Sequence, residues 1–405
     1  MGGAKRLTRS QTIQVRNMPV INTVAEDIAM VEDAVRRFIR TEVAAHLQAW
    51  EEAGQFPRSL YQRAAELGWL GLGYPQEFGG TPSPWSLRNA MTIALARQGG
   101  SGGLIAGLFS HNIGLPPVLR HGSLALQREV IPNVLQGVKI AALAITEPGG
   151  GTDVSALRTT ARREGEEYVV DGEKVFITSG MRADWITVAV RTDLQNKGPM
   201  GISMLMVPGD AVGLTRTPLK KMGWLCSDTA HLRFDGVRVP ARYLIGEEGS
   251  GFKMILTNFN GERLSMAAMA LGFSECCYDE ALSWARQRKT FGTALVDHQV
   301  IRHKLMDMKM RIESTRAWLN AVSDRADSGD KNAKGAAWVA QVCLLKNHAT
   351  QTMQFCADQG VQILGGMGYM RGTHSERIYR EVKVMMIGGG AEEIMKELAS
   401  RQLGL

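Results

Sequence analysis

Long apolar runs are missing from this 405-residue sequence; no stretch approaches the roughly 18 residues that a membrane-spanning helix needs. Cysteine is sparse: Cys226, Cys276, Cys277, Cys343 and Cys356 are odd in number, scattered, and form no C-x-x-C pair. Neither a metal site nor a disulfide scaffold is indicated, and a reducing compartment is the economical reading. Acidic residues are absent from Met1 to Met18, where Lys5, Arg6, Arg9 and Arg16 stand. That segment lacks the apolar core of a secretory signal. It reads as a short basic tail, with a transit peptide as the alternative. Internal repeats and low-complexity tracts are also absent.

What is present is ordinary for a soluble chain: 44% apolar and 21% charged residues, with a length that suggests two or three domains. The formal charge of +7 is spread along the chain without a nucleic-acid motif. It suits an anionic small ligand or an acidic protein partner, and it argues against DNA.

The hydrophobic period changes twice. Val24, Ile28, Val31, Val35 and Phe38 recur every three or four residues, one face of an amphipathic helix, and helical texture continues to about residue 139. Short strand candidates follow at Trp185 to Val190, Ile202 to Val207 and His231 to Val239. Tyr168 to Ile177, around Asp171-Gly172, predicts a hairpin with a tight turn. Ile301, Leu305, Met308 and Ile312 return to helical spacing, and Ser328-Gly329-Asp330 reads as a loop. The fold class expected is α+β: an N-terminal helical domain over 20–139, a β-barrel-like middle domain over 140–248, and a C-terminal four-helix bundle over 249–405.

Ile145-Thr146-Glu147-Pro148-Gly149-Gly150-Gly151-Thr152-Asp153 carries the strongest local signal. Its glycines let main-chain amides approach a ligand closely, and two hydroxyls flank them. A glycine run alone is equally a surface turn. In order along the chain come Lys174 to Gly180, Arg288-Lys289-Thr290-Phe291-Gly292, and Gln362-Ile363-Leu364-Gly365-Gly366. Together these four segments resemble the acyl-CoA dehydrogenase family, from about Val24 to Arg401.

The resemblance implies bound FAD. It places Thr146, Gly151 and Thr152 on the flavin loop, with Thr152 also near the substrate. Phe176, Ile177 and Thr178 fall on a W-I-T/S motif, with phenylalanine in place of tryptophan. Arg288, Thr290, Gln362 and Gly366 match positions that reach the cofactor of a neighbouring subunit, and Phe291, Gln299, Gly365, Gly390 and Glu392 are further cofactor positions. The active unit is then at least a dimer, and the family is usually tetrameric.

The family's reaction is α,β-desaturation of an acyl-CoA thioester, and it needs one carboxylate as base. Many members supply it from a C-terminal Y-E-G-T segment. The matching stretch here, Ile387-Gly388-Gly389-Gly390, has glycine instead. A subset including isovaleryl-CoA and long-chain enzymes places it in an E-R-L segment, which matches Glu262-Arg263-Leu264. A helical glutamate is ordinarily solvated; yet no cation stands four residues from Glu262 to explain it as an ion pair. Glu262 is therefore the expected base, ahead of Glu392 and Glu393. The Gly388 amide is expected to donate to the thioester carbonyl, and Asn260, Arg263 and Gly389 to contact substrate. Leu104 to Asn112, with small Ala106 and Gly107, is expected beside the acyl tail.

The implied product is a trans-2-enoyl-CoA from a branched or medium-to-long acyl group. Electrons are expected to pass to electron-transferring flavoprotein. An oxygen-using acyl-CoA oxidase and a catalytically silent acyl-CoA binding protein stay as alternatives. The expected location is the cytoplasm of a bacterium, or the mitochondrial matrix in a eukaryote.

Overall fold

A computed structural model describes residues 23–330 and 333–405; the basic segment Met1 to Met18 lies outside the described residues. Eight helices come first: α1 Thr23–Phe38, α2 Leu47–Ala53, α3 Ser59–Glu66, α4 Trp85–Arg97, α5 Gly102–Leu108, α6 His111–Gly114, α7 Pro116–His121 and α8 Leu124–Leu135. In α1 the expected apolar face points inward, with Val35 and Phe38 buried. Ser101 and Ser123 cap α5 and α8 by accepting from the amides of Gly103 and Leu126, which satisfies donors that a helix start leaves orphaned.

The middle region is one sheet of β1 Ala141–Ala144, β2 Thr160–Glu164, β3 Glu167–Thr178, β4 Trp185–Arg191, β5 Ile202–Pro208, β6 Leu214–Pro218, β7 Thr229–Pro240 and β8 Leu244–Ile245. Its order is β6-β7-β3-β2-β4-β5-β8, with β1 parallel to β4. The path is open, so the barrel-like middle region is an open sheet among the described residues. One local expectation fails. Tyr168 to Ile177 is no hairpin but part of the single strand β3, which pairs along its length with β7. Gly172, at φ 143°, sits at a bulge in that pairing, and a Cβ there would meet Thr159 at 2.7 Å. The turn lies earlier, between β2 and β3, where Gly165 takes φ 63°.

Long helices return with α9 Gly251–Gln287, then the small hairpin β9 Lys289–Thr290 and β10 Thr293–Ala294, and α10 Gln299–Asp327. The chain ends in α11 Ala336–Leu364, α12 Gly366–Tyr369, α13 His374–Ile387 and α14 Glu392–Leu403. Leu305, Met308 and Ile312 are buried on α10, as their spacing predicts. Packing does not follow the chain order. Residues of α1 to α5 share one apolar core with α9, α10, α11 and α13, whereas α7 and α8 pack on the sheet. No described helix is long and apolar enough to cross a membrane.

Candidate active site

The glycine loop leaves β1 and is pinned by a buried ion pair that the sequence reading left without a role. Glu147 accepts from the amides of Arg158 at 2.6 Å and Thr159 at 2.9 Å, and from Lys174 Nζ at 2.8 Å. Lys174 also donates to the Ile145 carbonyl at 2.9 Å. Lys174 holds Glu147 well below the usual carboxylate range despite burial, and burial lowers Lys174 itself to about 8. The pair fastens the loop to β3 where that strand turns toward Phe176. A buried Lys-Glu pair thus builds the frame, and Thr146, Gly151 and Thr152 ride on it. Gly149 and Gly150 have no atom within 4 Å of where a Cβ would stand, so their backbone faces open space.

Phe176 has φ 63° near the C-terminal end of β3, at the irregularity between Lys174 and Ile177, and it is 69% exposed. A bulky residue in the left-handed region is strained, and an exposed aromatic gains nothing from a core there. Ile177 beside it is buried and Thr178 half-buried, so the bulge turns one aromatic face outward while the strand stays anchored. That arrangement offers a platform to a flat heterocycle. Together with the open glycine backbone, it fits a bound flavin.

Glu262 lies in the fourth turn of α9. Its Oε2 is fully enclosed and has no hydrogen-bond partner among the described residues. Burial pushes the carboxyl up to about 7, while Arg263 and Lys346 pull it back down. Opposite it runs the Gly388–Gly390 turn: a Cβ on Gly389 would stand 3.7 Å from Glu262 Oε1, and one on Gly388 would stand 3.8 Å from Met266 Cε. Met266 is one helical turn from Glu262, so both candidate base positions address one volume. Arg263 Nε donates to the Gly389 carbonyl at 2.9 Å and its NH1 to Asn260 Oδ1 at 3.1 Å. Its guanidinium lies over Phe259 at 5.6 Å.

Two expectations change here, those for the Gly388 amide and for Gly107. The Gly388 amide does not point at a substrate carbonyl, because it donates to Val384 O at 2.7 Å as the last bond of α13. Gly389 and Gly390, at φ 66° and 112°, follow it outside the helix. Glu392 is tied to Lys396 at 2.8 Å, which keeps its pKa low, and Glu393 is exposed. Neither shares the enclosed position of Glu262. Gly107 does not widen an acyl pocket: a Cβ there would meet Phe56 at 2.6 Å, so the small residue admits a neighbouring ring.

Arg288, Thr290, Phe291 and Gln299 cluster past the far end of α9. Phe291 is 100% exposed at φ 52°, and Thr290 Oγ1 lies 3.2 Å from His298 Nε2. Arg288 follows Glu262 by 26 residues along one helix, about 39 Å at ~1.5 Å per residue. Gln362 and the open glycines Gly365 and Gly366 sit at the end of α11. One protomer therefore does not bring Arg288 to the Glu262 carboxylate.

Comparison with known proteins agrees along the whole chain. Residues 25–138, 142–237 and 249–404 match the acyl-CoA dehydrogenase N-terminal, middle and C-terminal domains. Cyclohexane-1-carbonyl-CoA dehydrogenase of Geobacter metallireducens is 33% identical, over 94% of this chain and 98% of its own. The mitochondrial long-chain specific acyl-CoA dehydrogenase of Sus scrofa is 32% identical, over 99% and 92%. The crystal structure of acyl-CoA dehydrogenase from Geobacillus kaustophilus superposes with a TM-score of 0.88 at 33% identity, covering 94% of this chain and 98% of that one. The chain belongs to the acyl-CoA dehydrogenase family of FAD-dependent oxidoreductases.

Proposed function

We propose that Glu262 is the base that removes the α-proton of a branched or medium-to-long acyl-CoA. The carrying observation is its unpaired, enclosed Oε2 facing a turn of glycines. A buried carboxylate oxygen without a partner is costly as mere structure, whereas a proton-abstracting base needs a free lone pair in a dry site. FAD, when bound, would supply the acceptor for the β-hydride. The protein's own residues do the rest. Phe176 and the Thr146–Thr152 loop seat the flavin, Arg263 holds the turn over the base, and Glu262 carries the proton away. Electrons then pass to electron-transferring flavoprotein.

The span between Glu262 and Arg288 supports a site shared between subunits, with a homotetramer as the assembly. The missing side chain at Gly388 leaves room for branching near the α-carbon. The names of relatives acting on cyclohexane-1-carbonyl-CoA and on long-chain acyl-CoA fit that range. The test is Glu262→Gln: the purified variant should stay yellow and fail to bleach with acyl-CoA under anaerobic conditions. Bleaching at the wild-type rate means that the base lies elsewhere. An acyl-CoA panel ranked by kcat/KM tests the substrate range, and strict preference for a short straight chain refutes it.

A further inference from the structure

Lys346 sits on α11 with a fully buried side chain, and both of its hydrogen-bond acceptors among the described residues are backbone carbonyls. Its Nζ donates to the carbonyls of Met386 at 3.0 Å and Gly390 at 2.9 Å. A buried ammonium hydrogen-bonded to carbonyls alone is expensive, and apolar side chains would pack α11 at lower cost. Its two acceptors bracket the glycine turn. Met386 O is one of the last four carbonyls of α13, which a helix end leaves orphaned, and Gly390 O closes the turn. Arg263 holds the carbonyl between them, so two cations fasten a segment of left-handed glycines that has little stiffness of its own.

We propose that Lys346 is a positioning residue that clamps the Gly388–Gly390 turn over Glu262 and sets a second cation beside the base. The inference rests on the reading of Glu262 as that base. The charged and titratable groups around the carboxylate are Arg263 on its own helix, Lys346 and Cys343 on α11, and Glu392 at the start of α14, which acts on Lys346. Burial brings Lys346 down to about 8, so it is charged at neutral pH and opposes the burial that pushes Glu262 up. Arg263 acts more strongly on the carboxyl from its own helix, and Lys346 adds a second cation from another helix.

The experiment follows the rate of anaerobic bleaching by acyl-CoA against pH in the FAD-loaded enzyme, for wild type, Lys346→Met and Lys346→Arg. Loss of the charge should move the midpoint to higher pH by roughly one unit, which lowers the rate about tenfold on the acid side. The fall should appear in kcat more than in KM, and Lys346→Arg should restore the midpoint. Lys346→Gln, which keeps an amide donor without the charge, is measured the same way if Lys346→Met does not fold. An unshifted midpoint in either uncharged variant overturns the proposal. So does failure of both to fold while Lys346→Arg titrates as wild type, because Lys346 then serves the fold alone. Bleaching by Glu262→Gln would instead sink the base reading; a silent Glu262→Gln with an unshifted Lys346→Met removes only the clamp.

Discussion

Lowering the pH should stop this enzyme at a point set by Glu262. The carboxyl is pushed from 4.5 to about 7 by burial, and in the proposed role only its ionised form would accept the α-proton. The bleaching rate at limiting substrate should therefore fall about tenfold per pH unit below about 7 and level off above it. The same shift has a consequence for stability. Between 4.5 and about 7 the folded chain holds a proton that the unfolded chain has released. Stability accordingly falls as pH rises through that window, by at most about 3.4 kcal/mol at about 1.36 kcal/mol per unit. Glu262→Gln removes the penalty. It should unfold at higher temperature than wild type near pH 8 and match it near pH 4. Stopped-flow flavin absorbance reads the first effect, and thermal unfolding at the two pH values reads the second. A bleaching rate that stays flat from about pH 8 to about pH 5 would refute the assignment. Equal wild-type and Glu262→Gln unfolding temperatures at both pH values would refute the burial that explains it.

Phe176→Gly should relieve the strain of φ 63°, worth about 1–3 kcal/mol less glycine's own chain-entropy cost. The apoprotein should gain stability while the purified enzyme loses FAD, read as a lower ratio of flavin to protein absorbance; undiminished FAD would remove Phe176 from the flavin platform. Glu147→Gln should cost about 3–5 kcal/mol in denaturant unfolding, because it strands the buried Lys174. Adding Lys174→Met should recover part of that loss, and an additive double variant would show that the two are uncoupled. Arg288→Ala should lower FAD retention with little change in protomer secondary structure, and unchanged retention would place Arg288 off the cofactor. Glu262→Gly with Gly388→Glu should regain some of the activity that Glu262→Gly alone loses, though only part, because a Cβ at 388 stands 3.0 Å from Val384 O.

What the sequence made legible depended on the range of the interaction involved. The apolar faces of α1 and α10 are set by side chains three or four apart, and Val35 and Phe38 of the first and Leu305, Met308 and Ile312 of the second are buried as spacing required. The flavin segments carry their identity in short strings, so they can be read before any fold is known. Asp171-Gly172 misled because the same dipeptide serves a turn or a bulge, and pairing with β7 decides which. Glu147 and Lys174 are 27 residues apart and meet only across the sheet. Lys346 is further hidden, since it bonds carbonyls, and carbonyls leave no trace in residue type. The Gly388 amide could be assigned a role from its position, but the last turn of α13 claims that hydrogen first.

The glycines of the C-terminal turn connect these scales. Gly388 has φ −62°, which any residue adopts, so its backbone does not demand glycine. The space does: a side chain there would press on Val384 O and reach toward the methyl of Met266, one turn from Glu262. A glutamate at 388 beside Glu262 would set two carboxylates in one dry volume, where each disfavours ionisation of the other and neither is a ready base at neutral pH. The absence at 388 and the presence at 262 are thus one electrostatic requirement read at two places. The cations on both sides of the turn follow from it. A loop freed of its side chains to make room for a base on α9 loses their packing, and Arg263 and Lys346 hold its carbonyls instead.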